Sequence, residues 1–96
     1  MTRDANDSDA RRLVIRGRVQ GVWYRGWLQE LARSCGVTGW VRNRPDGSVE
    51  AVVEGPSAVL DAVVASCHDG PPAARVDAVE SAQTSRQGFD AFDVRA

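Results

Sequence analysis

Apolar residues recur along the chain with two different periods. Leu13, Ile15 and Gly17 alternate with Val14 and Arg16, a period of two that predicts a strand over residues 11–17. From Trp23 to Cys35 the spacing widens. Tyr24, Leu28, Leu31 and Cys35 recur at intervals of three and four with Ala32 beside them, the single stripe of a half-buried helix. Gly36 follows, suited to a left-handed residue just past a helix end. The period then returns to two. Val37, Gly39 and Val41 oppose Thr38, Trp40 and Arg42 in a strand over 37–44, and Val49, Ala51 and Val53 share a face in a strand over 48–54. Between them Asn43-Arg44-Pro45-Asp46-Gly47 is turn chemistry, so 37–54 is a hairpin. Gly55-Pro56 opens a second helix, with Pro at the first helical position, where its missing donor has no partner to lose. Val59, Leu60, Val63, Val64 and Cys67 form its stripe, and His68-Asp69-Gly70-Pro71-Pro72 stops it. Residues 75–83 alternate less cleanly, and 89–95 read as a short last strand.

The order is β-α-β-β-α-β with a short fifth strand. It predicts an α+β fold, a ferredoxin-like two-layer sandwich with two antiparallel helices on one face of an antiparallel sheet. Residues 1–10 contain no large apolar residue after Met1 and read as a flexible N-terminal tail, leaving 11–96 as one domain. Cys35 and Cys67 lack metal-ligand spacing and read as small buried residues. Antiparallel helices put their ends at opposite sheet edges, too far apart for a bridge.

Charge narrows the function. The net charge is −1, against the basic surplus of an electrostatic nucleic-acid binder, and the strands lack the exposed aromatic pairs that stack bases. All 12 basic residues are Arg, which excludes a phosphate-loop lysine or a Schiff base. No apolar run is long enough to span a bilayer and the N-terminus is polar and acidic, so the expectation is a cytoplasmic protein with no membrane association. It reads as a monomer.

The stretch with most chemistry is Gly17-Arg18-Val19-Gln20-Gly21-Val22-Trp23-Tyr24-Arg25, where a strand turns into a helix. Free amides at a helix start, glycines that permit φ > 0 and an arginine fork together suit an oxyanion, above all a phosphate. The same pattern also suits a glycine-rich connection with a solvated arginine. His68, near the end of the second helix, reads as a partner of the helix dipole or a solvated residue.

Gly17-x-Val19-Gln20-Gly21-Val22-x-Tyr24-Arg25, then Gly39-Trp40-Val41-Arg42-Asn43 with Gly47, Val49 and Gly55, resembles the two signatures of the acylphosphatase family in order. Gly70-Pro71, Ala74, Val76 and Gly88-Phe89 resemble its later positions. The resemblance spans residues 11–95. It implies hydrolysis of an acyl phosphate, a small-molecule substrate, to carboxylate and inorganic phosphate. It further implies a phosphate held by the amides of Val19, Gln20, Gly21, Val22, Trp23, Tyr24 and Arg25 and by the Arg25 guanidinium, and a water positioned by Asn43. On this resemblance Arg25 and Asn43 would be the catalytic pair, no metal or cofactor would be used, and inorganic phosphate or sulfate could occupy the loop. One departure stands out: the family commonly carries Thr three residues after the arginine, where this chain has Leu28. The alternative is a non-catalytic anion-binding or regulatory module on the same fold.

Overall fold

A computed structural model describes residues 8–96. The elements are β1 (Ser8–Arg18), α1 (Tyr24–Ser34), β2 (Thr38–Asn43), β3 (Val49–Pro56), α2 (Ser57–Cys67), β4 (Arg75–Gln83) and β5 (Phe92–Arg95). They form one sheet in the order β4-β1-β3-β2-β5. Both helices pack on one face, α1 over β2 and β5, α2 over β1 and β3. The expected ferredoxin-like sandwich is present. Alternation supplies its core: Leu13 and Ile15 from β1 and Val49, Ala51 and Val53 from β3 meet Leu28 and Ala32 of α1 and Leu60 and Val63 of α2.

Several expectations change in detail. β1 begins at Ser8, so residues 8–10 are not tail: Ser8 pairs with Pro56, and Ala10 is wholly buried. The rest of the expected tail, 1–7, lies outside the described residues. The α1 stripe is Tyr24, Leu28 and Ala32, whereas Cys35 caps the helix and is exposed. Cys67 is buried as expected, and both thiols are free. Pro56 is the last residue of β3 and the N-cap of α2 rather than its first helical residue.

The irregular alternation of β4 has a physical cause. Arg16 pairs with Ala78 but Gly17 pairs with Val76, leaving Asp77 as the extra residue of a β-bulge. The bulge turns both Val76 and Val79 toward the core. Gly17 serves this bulge: at φ 131° its missing Cβ would lie 2.2 Å from the carbonyl oxygen of Arg75.

The sheet is antiparallel among β4, β1, β3 and β2, but β5 joins β2 in parallel. Residues 84–91 carry the chain from one edge to the other across the face without helices. They are anchored there by Glu54, whose carboxylate accepts the N–H groups of Gln87, Gly88 (3.0 Å) and Phe89 (3.4 Å). The chain therefore re-enters beside the start of β2 and must run with it. On the same face Arg12 and Arg42 close over Glu50, whose side chain is only 5% exposed. Trp40 lies there too, with the Arg95 guanidinium 4.8 Å from its ring centroid.

Candidate active site

The loop from β1 to α1 turns on two left-handed residues, Gly21 at φ 74° and Trp23 at φ 68°. Trp23 is the sole non-glycine residue with positive φ among those described. It is the N-cap of α1 without a side-chain cap, and the first intrahelical bond runs from Trp27 N–H to Trp23 O at 3.0 Å. Among the described residues no protein acceptor takes the N–H groups of Gly21, Val22, Trp23, Tyr24 or Arg25. The first turn of α1 carries no acidic residue. A cluster of unpaired donors at a positive helix end is an anion site in waiting.

The loop borders a cleft of about 250 Å³ lined by Val19, Gly21, Trp23, Tyr24, Arg25 and Gly26 from the loop and first turn, Asn43 from β2 and Val94 from β5. The two residues expected to act together, Arg25 and Asn43, thus meet in one cavity. Arg25 is half-buried, and its Nη1 donates to the carbonyl oxygen of Arg95 at 3.2 Å. Asn43 is the last residue of β2, paired with Val49.

Gln20 and Val22, also expected at the phosphate, do not line the cleft. Gln20 turns away and donates through Nε2 to the carbonyls of Arg44 (2.8 Å) and Ser48 (2.9 Å). It fastens the loop to the turn that follows Asn43, so its side chain ties two walls of the cleft together instead of lining it. That turn is itself rigid: Arg44 N–H bonds Ser48 O at 2.8 Å, and Asp46 accepts from the Ser48 amide and hydroxyl. These Ser48 bonds, with Arg44 and Arg16 nearby, hold the Asp46 carboxyl below its usual range. Val22 packs against the core.

Tyr24 is buried beneath the loop and donates its hydroxyl to the Cys67 carbonyl at 2.6 Å, pinning the first turn of α1 to the end of α2. Burial pushes this hydroxyl far above its ordinary range and the Cys67 thiol up to about 11. Both groups therefore stay neutral, as structural members. Leu28 lies wholly in the core and does not reach the cleft. His68 is the exposed C-cap of α2, also outside it.

Sequence reasoning missed three contributors. Gly26 accommodates the Trp23 indole: a Cβ there would lie 2.1 Å from Trp23 Nε1. Val94 and the Arg95 carbonyl come from β5, and neither a lone valine nor a main-chain oxygen leaves a motif. Among the described residues no group of three or more His, Cys, Asp or Glu could hold a metal ion, and no helix is long and apolar enough to cross a membrane.

Fold and site together define a small α+β sandwich in which unpaired loop amides and Arg25 gather where the first strand meets the first helix. Comparisons with known proteins identify its family. The Acylphosphatase family profile matches residues 11–94. The chain is 48% identical over 89 residues to an acylphosphatase of Rhizorhabdus wittichii, covering 90% of both chains. The structure of an acylphosphatase from Coxiella burnetii superposes with a TM-score of 0.92 at 29% identity, over 99% of this chain and 100% of that one. The acylphosphatase of Bacillus subtilis gives a TM-score of 0.88 at 34% identity, over 91% and 98%. The chain belongs to the acylphosphatase family. It is a hydrolase of acyl phosphates, the small-molecule substrate class of that family.

Proposed function

We propose that the phosphoryl end of the substrate seats on the amides of residues 19–25 with the Arg25 guanidinium across its oxygens, and that Asn43 orients the attacking water. The observation that carries this reading is the convergence of Arg25, Asn43 and the unpaired loop amides on one cleft. Water adds to phosphorus as the bond to the acyl oxygen breaks, leaving a carboxylate and inorganic phosphate. A carboxylate is a weak base, so it departs without a general acid. Such a transfer passes through a loose transition state, and catalysis consists of positioning and charge stabilisation. The Asn43 amide cannot take the proton of the water. That proton passes to a phosphate oxygen or to solvent.

The same chemistry asks for no metal: Arg25 and the helix end supply the positive field. Inorganic phosphate, the product, competes for the cradle. We also read the chain as a monomer of the cytoplasm, where the exposed Cys35 thiol stays reduced. The test is hydrolysis of benzoyl phosphate in ¹⁸O-labelled water with chelator present. Undiminished turnover with label in the phosphate supports the reading. Label in benzoate, or activity abolished by chelator, contradicts it.

A further inference from the structure

Beyond the phosphoryl group, we infer that Trp23 and Val94 form an apolar seat for the acyl group, which selects aromatic and other bulky apolar acyl phosphates over acetyl phosphate. The inference rests on the cleft being the site of acyl phosphate hydrolysis.

Among the described residues the large hydrophobic side chains left exposed are Trp23, at 58%, and Val94, at 41%. They come from a loop and from the last strand, yet both line the cleft that holds Arg25 and Asn43. Exposed apolar side chains scattered singly need no explanation, but two converging on one cleft do. Trp23 is also held at a cost. A bulky residue in the left-handed region is strained, and such strain persists where the surroundings enforce it. Gly26 supplies the surroundings, since only a residue without Cβ leaves room for the indole over the first turn of α1. Val94 is aimed into the cleft by register: it pairs with Val41 on the helix-bearing face of the sheet, while its neighbour Arg95 faces the other side and stacks on Trp40.

Arg25 sits between the two. It is two residues past Trp23, and its Nη1 bonds the carbonyl of Arg95, the residue after Val94. A phosphate on the loop and Arg25 therefore has an indole and an isopropyl group beside it, where the acyl end emerges. A flat aroyl group presents a broad apolar face to such a seat, whereas an acetyl group presents a single methyl.

The experiment compares kcat/KM for benzoyl phosphate and acetyl phosphate in the wild type, in Trp23→Asn and in Val94→Thr. Asparagine tolerates the left-handed backbone and threonine keeps the shape and strand preference of valine. The ratio of the two substrates cancels any loss of folded enzyme. The expected result is a wild-type ratio well above one in favour of benzoyl phosphate, falling about tenfold in Trp23→Asn and several-fold in Val94→Thr. Equal losses on both substrates in both variants would overturn the acyl seat while leaving the phosphatase reading intact. A wild type that cleaves neither substrate would instead overturn that reading, and the seat with it.

Discussion

Arg25 donates through Nη1 to the main-chain oxygen of Arg95, 3.2 Å away, tying the first turn of α1 to the end of the last strand. One contact is spent on the protein, and the guanidinium, which lines the cleft, keeps further donors, enough for an anion to take two at once. Replacing Arg25 with Ala should lower kcat/KM for an acyl phosphate by roughly 10²–10³, the scale of losing one preorganised donor to developing charge. Arg25→Lys should recover little, because an ammonium cannot span both the Arg95 carbonyl and a phosphate. Steady-state kinetics on both variants decide this.

Gln20 makes a second, separable prediction. Its amide clamps the loop to Arg44 and Ser48, beside Asn43. Gln20→Glu replaces a donor by an acceptor facing two carbonyl oxygens. The variant should lose roughly 1–3 kcal/mol of stability, measured by urea unfolding. It should also lose roughly ten- to a hundredfold in turnover, since a shift of about 1 Å between cradle and water site is that costly. Loss of stability with normal kcat would show that the clamp does not set the spacing between loop and Asn43.

Much of this was legible beforehand, for identifiable reasons. Leu13, Ile15, Val49 and Val53 announced their strands by strict alternation, because one face of each is buried against helices. The stripe of α1 was readable through Tyr24, Leu28 and Ala32. It was misread at Cys35, where the helix has already ended and the period no longer applies. β4 blurred because its bulge at Asp77 puts Val76 and Val79 on one side, and β5 is too short to reveal its parallel direction. In the site, Arg25 stood out as an arginine closing a glycine-bearing strand-to-helix turn, whereas Asn43 was marked only by the resemblance of its strand to a family signature. The outward turn of Gln20, the left-handed Trp23 and the carbonyl of Arg95 are tertiary facts that local patterning does not encode.

Leu28 occupies the position where the family commonly has threonine, and the structure buries it completely. A hydroxyl there would enter the buried core that Leu28 shares with Leu13, Ile15 and Val41 rather than the cleft lined by Asn43. Leu28→Thr should therefore destabilise the fold by roughly 1–3 kcal/mol, through lost apolar contact and a buried hydroxyl, without raising kcat. A thermal melt paired with kinetics checks both. A gain in turnover would mean that the first turn of α1 shifts to bring this position into the cleft.

Acid should loosen the face of the sheet opposite the helices. Burial opposes the charge of Glu50, but Arg42 and Arg12 outweigh it and hold its carboxyl below the usual range. A carboxyl with a depressed folded pKa contributes stability that is present above its unfolded value, about 4.3, and is lost as pH falls through the folded one. The wild type should thus lose stability progressively below about pH 4.5. Glu50→Gln should be less stable at neutral pH and show a shallower acid slope, read from urea midpoints at a series of pH values. Because both arginines are about half exposed, the effect is modest.

The division of labour between cradle and water-bearing side chain is tested most directly by Asn43→Ala, with kcat for benzoyl phosphate and the inhibition constant of inorganic phosphate measured on the same preparation. Turnover should fall by roughly a hundredfold or more, while phosphate inhibits as well as it does the wild type, because the loop amides and Arg25 are untouched. An Asn43→Ala enzyme that no longer binds phosphate yet turns over normally would contradict the assignment of Asn43 to the water and of the loop to the anion.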